Sequence, residues 1–269
     1  MKKIIWAPPL IKQADFWGNI NYLPITRKKQ LSTTTLPQYD VSYTSSTEYR
    51  FGNYMNKKYL PIEYLVEGVE EIPCVQPFTI DLPQDIVGID ERIPDDCSKI
   101  GVHGFCYDRV LWQKWNNLGR TINKAQQYYC AFGPQFSVLI DGSRCEAVEA
   151  IRMNRVATLA MQSQGIPTIP TVSFTSARYF DIAYDGLPSN CPIAFGNMCV
   201  LKDPNLARLY RMGVEQLIGR KNPTVLVVVG NRLNFDPGIP VVYYKSRIQK
   251  LRDHEYNKEK RLSRSLHRE

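Results

Sequence analysis

The sequence predicts a mixed α/β fold with a mostly parallel sheet of about six strands, in a barrel-like or open arrangement. Three observations predict it. Short, continuous apolar runs recur between residues 85 and 230. Helical patterns with capping signals separate several of them. Prolines and Ser/Thr clusters confine irregular structure to residues 1–80.

In chain order, residues 1–80 are broken by Pro8, Pro9, Pro24, Pro37 and Pro61, and Ser/Thr clusters at 32–35 and 44–47 mark loops. Tyr39, Tyr43, Tyr49, Phe51, Tyr54 and Tyr59 between them favour short strands. The region reads as an N-terminal arm or small β-rich subdomain. An α/β body over 81–245 and a basic tail over 246–269 follow.

In the body, Asp85–Asp90, Gly101–Tyr107, Phe136–Ile140, Thr168–Phe174, Pro192–Gly196 and Thr224–Gly230 read as strands. Uninterrupted apolar runs suit parallel strands covered on both faces. Ser143-Arg144-Cys145-Glu146 has the form of a capping box and opens a helix to about Gln164, stopped by Gly165. Asp203-Pro204 opens a second helix, through Leu206, Leu209, Tyr210, Val214 and Leu217 to Gly219. Val241–Tyr244 is one more strand-like run.

Composition bounds the function. The longest apolar runs are strand-sized, well short of the roughly 20 residues of a spanning helix. Met1-Lys2-Lys3 leads into a proline-broken run with no cleavage signal, so the chain is expected in the cytoplasm, away from membranes. Seven cysteines, an odd number with no C-x-x-C, read as reduced and buried thiols. Three histidines, two of them in the tail, do not suggest a zinc centre.

Charge is unevenly spread. Residues 1–60 carry nine Lys/Arg against three Asp/Glu, and residues 245–269 nine against four. The net charge of +8 therefore resides in the two ends, around a mildly acidic body. Basic ends suit DNA, RNA or an acidic host protein. Arg27, Lys28, Lys29, Arg50, Lys57 and Lys58 interleave with aromatics as in single-strand binders; Lys258, Lys260, Arg261 and Arg264 extend the tail. The same residues also read as a solvated surface around a tyrosine core.

Several segments resemble the domain-of-unknown-function family 4417. VHGFCYDRVLWQKW (Val102–Trp115) resembles its histidine-aromatic-aspartate strand followed by a tryptophan. FGPQFSVLID (Phe132–Asp141) resembles its P-x-F-S-x-x-x-D segment, and QGIPTIPTVSF (Gln164–Phe174) its G-I-x-x-I-P-T signature. FDIAYDGLP (Phe180–Pro188) and NPTVLVVVG (Asn222–Gly230) resemble its D-G-I-P turn and last strand. A single Asp108 stands where the family has two adjacent aspartates. The resemblance implies a phage or mobile-element context and carries no known chemistry.

In parallel α/β folds, ligands bind at the carboxyl ends of strands. Asp90-Glu91, Asp108 and Asp141 are expected there, with Ser173, Asn197 and Asn231 at later strand ends. Asp108 and Asp141 could ligate Mg²⁺ or Mn²⁺ through oxygen, and with His103 they are the candidate catalytic residues. Each also has a structural reading. Asp108 and Asp141 could cap helices, His103 could be a hydrogen-bonded core residue, and Arg155 could form a surface ion pair. Asp185-Gly186 reads as a turn. Three functions stay open: nucleic-acid binding through basic ends, metal-assisted phosphodiester hydrolysis, and a non-catalytic host-protein interaction.

Overall fold

A computed structural model describes residues 56, 59–61, 63–173, 176–197, 203–253 and 255, together with the strand at 27–30. Three strands, β1 (Arg27–Gln30), β2 (Glu63–Glu67) and β3 (Ile72–Pro73), form an antiparallel sheet in that order. Tyr64 and Val66 alternate inward along β2 and, with Val75, pack on Leu159 of the long helix.

Seven parallel strands follow. β4 (Asp85–Gly88), β5 (Ile100–Gly104), β6 (Cys130–Pro134) and β7 (Thr168–Ile169) pair side by side. β8 (Ile193–Gly196), β9 (Leu226–Val229) and β10 (Val241–Tyr244) do the same. A parallel bridge between Thr171 and Ala194 joins the two groups, with Ala194 N–H donating to the Pro170 carbonyl at 2.8 Å. Spatial order therefore equals chain order from β4 to β10.

Chain-order pairing curls the sheet. In a flat sheet β6 and β10 would lie about 19 Å apart at the usual strand spacing. Yet the Phe132 and Tyr244 rings meet edge to face with centroids 6.1 Å apart. The Tyr244 hydroxyl also reaches across to donate to the carbonyl of Pro83, just before β4. Ile86, Cys130, Phe132, Ile169, Ala194, Val227, Val229 and Tyr244 share the inner cluster. The curl is barrel-like but does not close: β4 and β10 do not pair with each other among the described residues. Helical residues 247–253 fill the gap, where Lys250 Nζ donates to the Ile86 carbonyl on the open edge of β4 at 2.6 Å.

Helices cover the outer face. α1 (Asp108–Asn116) and α2 (Leu118–Ala125) lie between β5 and β6, where the sequence pointed to a helix only through the capping reading of Asp108. α3 (Arg144–Ser163) starts on the expected capping box: Ser143 Oγ accepts from Glu146 N–H, and Glu146 returns a bond to Ser143 N–H at 2.6 Å. α4 (Pro204–Lys221) starts at Asp203, which accepts from Asn205 and Leu206 N–H, and ends on Asn222 in the left-handed region. Val214 and Leu217 pack on Leu226 and Val228. Each such side chain contributes roughly 1.5–3 kcal/mol by burial.

Three expectations need correction. The third strand is Cys130–Pro134, whose residues are all buried; Phe136–Ile140 is a loop with Leu139 and Ile140 in water. Asp108 is the first residue of α1, and Tyr107 occupies the cap position without a side-chain bond. Among the described cysteines the thiols are free, but Cys145 is exposed and only Cys130 and Cys191 are fully buried.

Candidate functional site at the strand-end mouth

Because all seven strands of the curl run the same way, their carboxyl ends share one rim. His103 sits there in β5, opposite Gly88 of β4 and only 4% exposed. The absence of a side chain at Gly88 makes room for two carboxylates. A Cβ at that position would lie 2.7 Å from Glu91 Oε1 and 2.8 Å from Asp90 Oδ1. Glu91 Oε1 accepts the Gly88 N–H at 2.9 Å. From outside the sheet, Lys124 of α2 donates to the Ile89 and Glu91 carbonyls and fixes this turn.

The cations beside them come from the helical residues after β10. Arg247 Nη1 pairs with Asp90 Oδ2 at 2.8 Å, and Lys250 Nζ pairs with Asp85 Oδ1 at 2.7 Å. His103 Nδ1 accepts the Phe105 N–H at 3.1 Å, so the neutral ring carries its proton on Nε2. Burial pushes the imidazole down to about 4, Lys250 pushes the same way, and Asp90 and Asp85 oppose it. At neutral pH His103 is thus an uncharged donor.

Amide side chains brace the rest of the rim. Asn197, wholly buried after β8, clasps the backbone of Asn231 with bonds of 2.6 and 2.7 Å. Gln135 bridges the Val172 carbonyl and the Gly196 N–H. A cavity of about 30 Å³ behind β5 and β6, lined by Val102, Trp115, Phe136 and Met161, holds no more than a water.

The other sequence-predicted residues distribute as follows. Asp108 accepts from Ser137 Oγ at 3.1 Å and from Ser137 N–H at 3.3 Å, tying the start of α1 to the loop after β6. Asp141 is exposed at the far end of that loop, and Ser143 is the cap. Among the described residues no three His, Cys, Asp or Glu side chains converge as metal ligands would. Arg27, Lys28 and Lys29 lie on β1 opposite Val66, Leu65 and Tyr64. Arg50, Lys57, Lys58, Lys258, Lys260, Arg261 and Arg264 lie outside the described residues. Arg247 and Lys250 were missed, because only the curl brings the segment after β10 to β4.

A second polar cluster supports the fold. Arg155, expected on the surface, is 2% exposed in mid-α3. Its guanidinium donates to the carbonyls of Thr171, Ala183 and Asp185 at 2.7, 2.9 and 3.0 Å. Burial lowers it only to about 10, so it stays charged. Glu67 of β2 accepts from Lys221 Nζ at 2.9 Å and from Gly186 N–H at 2.7 Å. Asp185-Gly186 forms the expected turn, with Gly186 at φ 73°. Burial and the neighbouring Glu67 raise the Asp185 carboxyl to about 7.

No helix among the described residues is long and apolar enough to cross a membrane. The chain is similar to the Gene 1 protein of Mycobacterium phage D29, 30% identical over 143 residues, covering 52% of this chain and 53% of the relative. It is also similar to the Gene 1 protein of Mycobacterium phage L5, 26% identical over 147 residues, covering 54% and 64%. The matched part thus spans roughly half to two thirds of these relatives. No solved structure matches. The family described as "Domain of unknown function (DUF4417)" matches residues 64–240, from β2 to the approach to β10, and the chain belongs to this phage-associated family.

Proposed function

We propose that the chain acts on nucleic acid, meeting the phosphate backbone at the strand-end mouth and holding the polymer with its basic ends. One observation carries this reading: Arg247 meets Asp90 on the rim that holds the neutral His103 and Glu91, and Lys250, one helical turn further on, lines the open edge of β4 leading to that rim. The two cations can hold a phosphodiester by exchanging their present partners, Asp90 and Asp85, for its oxygens. The His103 Nε2–H can donate a hydrogen bond to a phosphoryl oxygen, and a carboxylate can accept a proton from water as it attacks phosphorus, while the P–O bond to the leaving sugar oxygen breaks and that oxygen takes a proton from solvent. The segment bearing Arg247 and Lys250 leads directly into the tail with Lys258, Lys260, Arg261 and Arg264, so site and polymer-binding run are contiguous in the chain.

The test incubates purified protein with labelled single-stranded and duplex oligonucleotides, in Mg²⁺, Mn²⁺ or EDTA, on native and denaturing gels. Cleavage that disappears in Asp90→Asn and His103→Asn makes the mouth catalytic. Metal-dependent cleavage lost in Asp108→Asn and Asp141→Asn instead assigns the chemistry to those two carboxylates. A salt-sensitive shift without cleavage leaves a binding protein. The absence of both effects removes the proposal.

A further inference from the structure

At β5 and β6 the rim carries four large apolar side chains that the fold leaves in water. Tyr107, just before α1, is 80% exposed, and Trp112, further along α1, is 42% exposed. Leu139 and Ile140, in the loop after β6, are each about half exposed. Their base is firm. The Asp108–Ser137 bonds tie the two loops together, and the Trp112 ring rests edge-on against Phe136 with centroids 5.6 Å apart.

We propose that Tyr107 and Trp112 form a stacking platform for unpaired nucleobases, so that the nucleic acid taken at this site is single-stranded. The inference rests on the proposed function and names its substrate class. Every base has a π-face that an exposed aromatic ring can cover, whereas a duplex keeps those faces inside its own stack. Arg109, exposed on α1 between the two rings in sequence, makes no ion pair among the described residues and can meet the intervening phosphate. Four apolar side chains interleaved with Asp108, Arg109 and Ser137 fall far short of the roughly 20–30 residues a side that a stable protein interface uses.

Fluorescence anisotropy of the full chain with a labelled oligothymidylate of about 15 nucleotides, and with a duplex of the same length, tests the platform. Wild type should bind the single strand more tightly. Tyr107→Ala should weaken single-strand binding between about fivefold and a hundredfold and leave the duplex unmoved. Tyr107→Phe, which keeps the ring, should bind as wild type. Tyr107 makes so little contact that its removal spares the fold; Trp112→Ala, read beside its unfolding midpoint, should weaken the same ligand. Equal effects on both ligands, or an unchanged Tyr107→Ala, would overturn the platform and leave the nucleic-acid reading standing. Wild type that binds neither ligand would remove the underlying reading as well.

Discussion

Arg155, midway along α3, donates its guanidinium to the main-chain carbonyl of Thr171, 2.7 Å away, in the segment between β7 and β8. The same side chain holds the Ala183 and Asp185 carbonyls, so one buried cation fixes both the I-P-T segment and the D-G-L-P turn. Replacing it by methionine keeps the bulk and orphans three acceptors. Arg155→Met should lose about 3–5 kcal/mol in urea unfolding. A loss below about 1 kcal/mol would mean those carbonyls find other partners.

Asp185 makes stability depend on pH. Its folded pKa, about 7, lies above the ordinary carboxyl value of 3.8, so the folded state holds a proton that the unfolded chain releases. The stability it contributes is complete below 3.8 and disappears as pH rises to about 7. Asp185→Asn keeps the neutral form at every pH. The variant should match wild type near pH 4 and exceed it by up to about 4 kcal/mol at pH 8. Parallel urea curves at the two pH values check this.

His103 acts in the opposite sense. Its folded pKa, about 4, lies below the ordinary 6.5, so the unfolded chain takes the proton first and stability is lost as pH falls from 6.5 to about 4. His103→Asn, which can still accept the Phe105 N–H, should remove this acid sensitivity. Thermal midpoints of both proteins between pH 4 and 7 would show it as a flattened slope.

Gly88 separates fold from site. The atoms a Cβ would meet are the ends of two flexible carboxylates, which can swing aside. Gly88→Ala should therefore cost no more than about 1 kcal/mol while displacing Asp90 and Glu91 from beside His103. Loss of nucleic-acid activity with an unchanged unfolding midpoint is the expected pair of results.

Strands and helices differ in how much of them is legible in the sequence. Leu226–Val229 is wholly buried and reads as a strand because neither face meets water. The α3 start is legible because a capping box is a local arrangement of four residues. The strand at Cys130–Pro134 is not, because its glycine and proline imitate a turn while the loop behind it, Phe136–Ile140, is more apolar. Arg155 is misread for a related reason: periodicity shows a charge on a helix, whereas the carbonyls that satisfy it come from segments 16 and about 30 residues away. At the mouth, Asp90 follows from a strand end and His103 is a candidate within the next strand, but Arg247 and Lys250 depend on the curl that brings β10 back to β4.

The most direct test of the central claim is the salt dependence of oligothymidylate binding by wild type and an Arg247→Gln/Lys250→Gln double variant, between about 50 and 200 mM salt. If the two cations meet phosphates at the mouth, the variant binds more weakly and its log K against log salt slope is shallower by roughly 1.4. An identical slope and affinity in the two proteins would contradict the claim, and would leave the mouth without a role in holding nucleic acid.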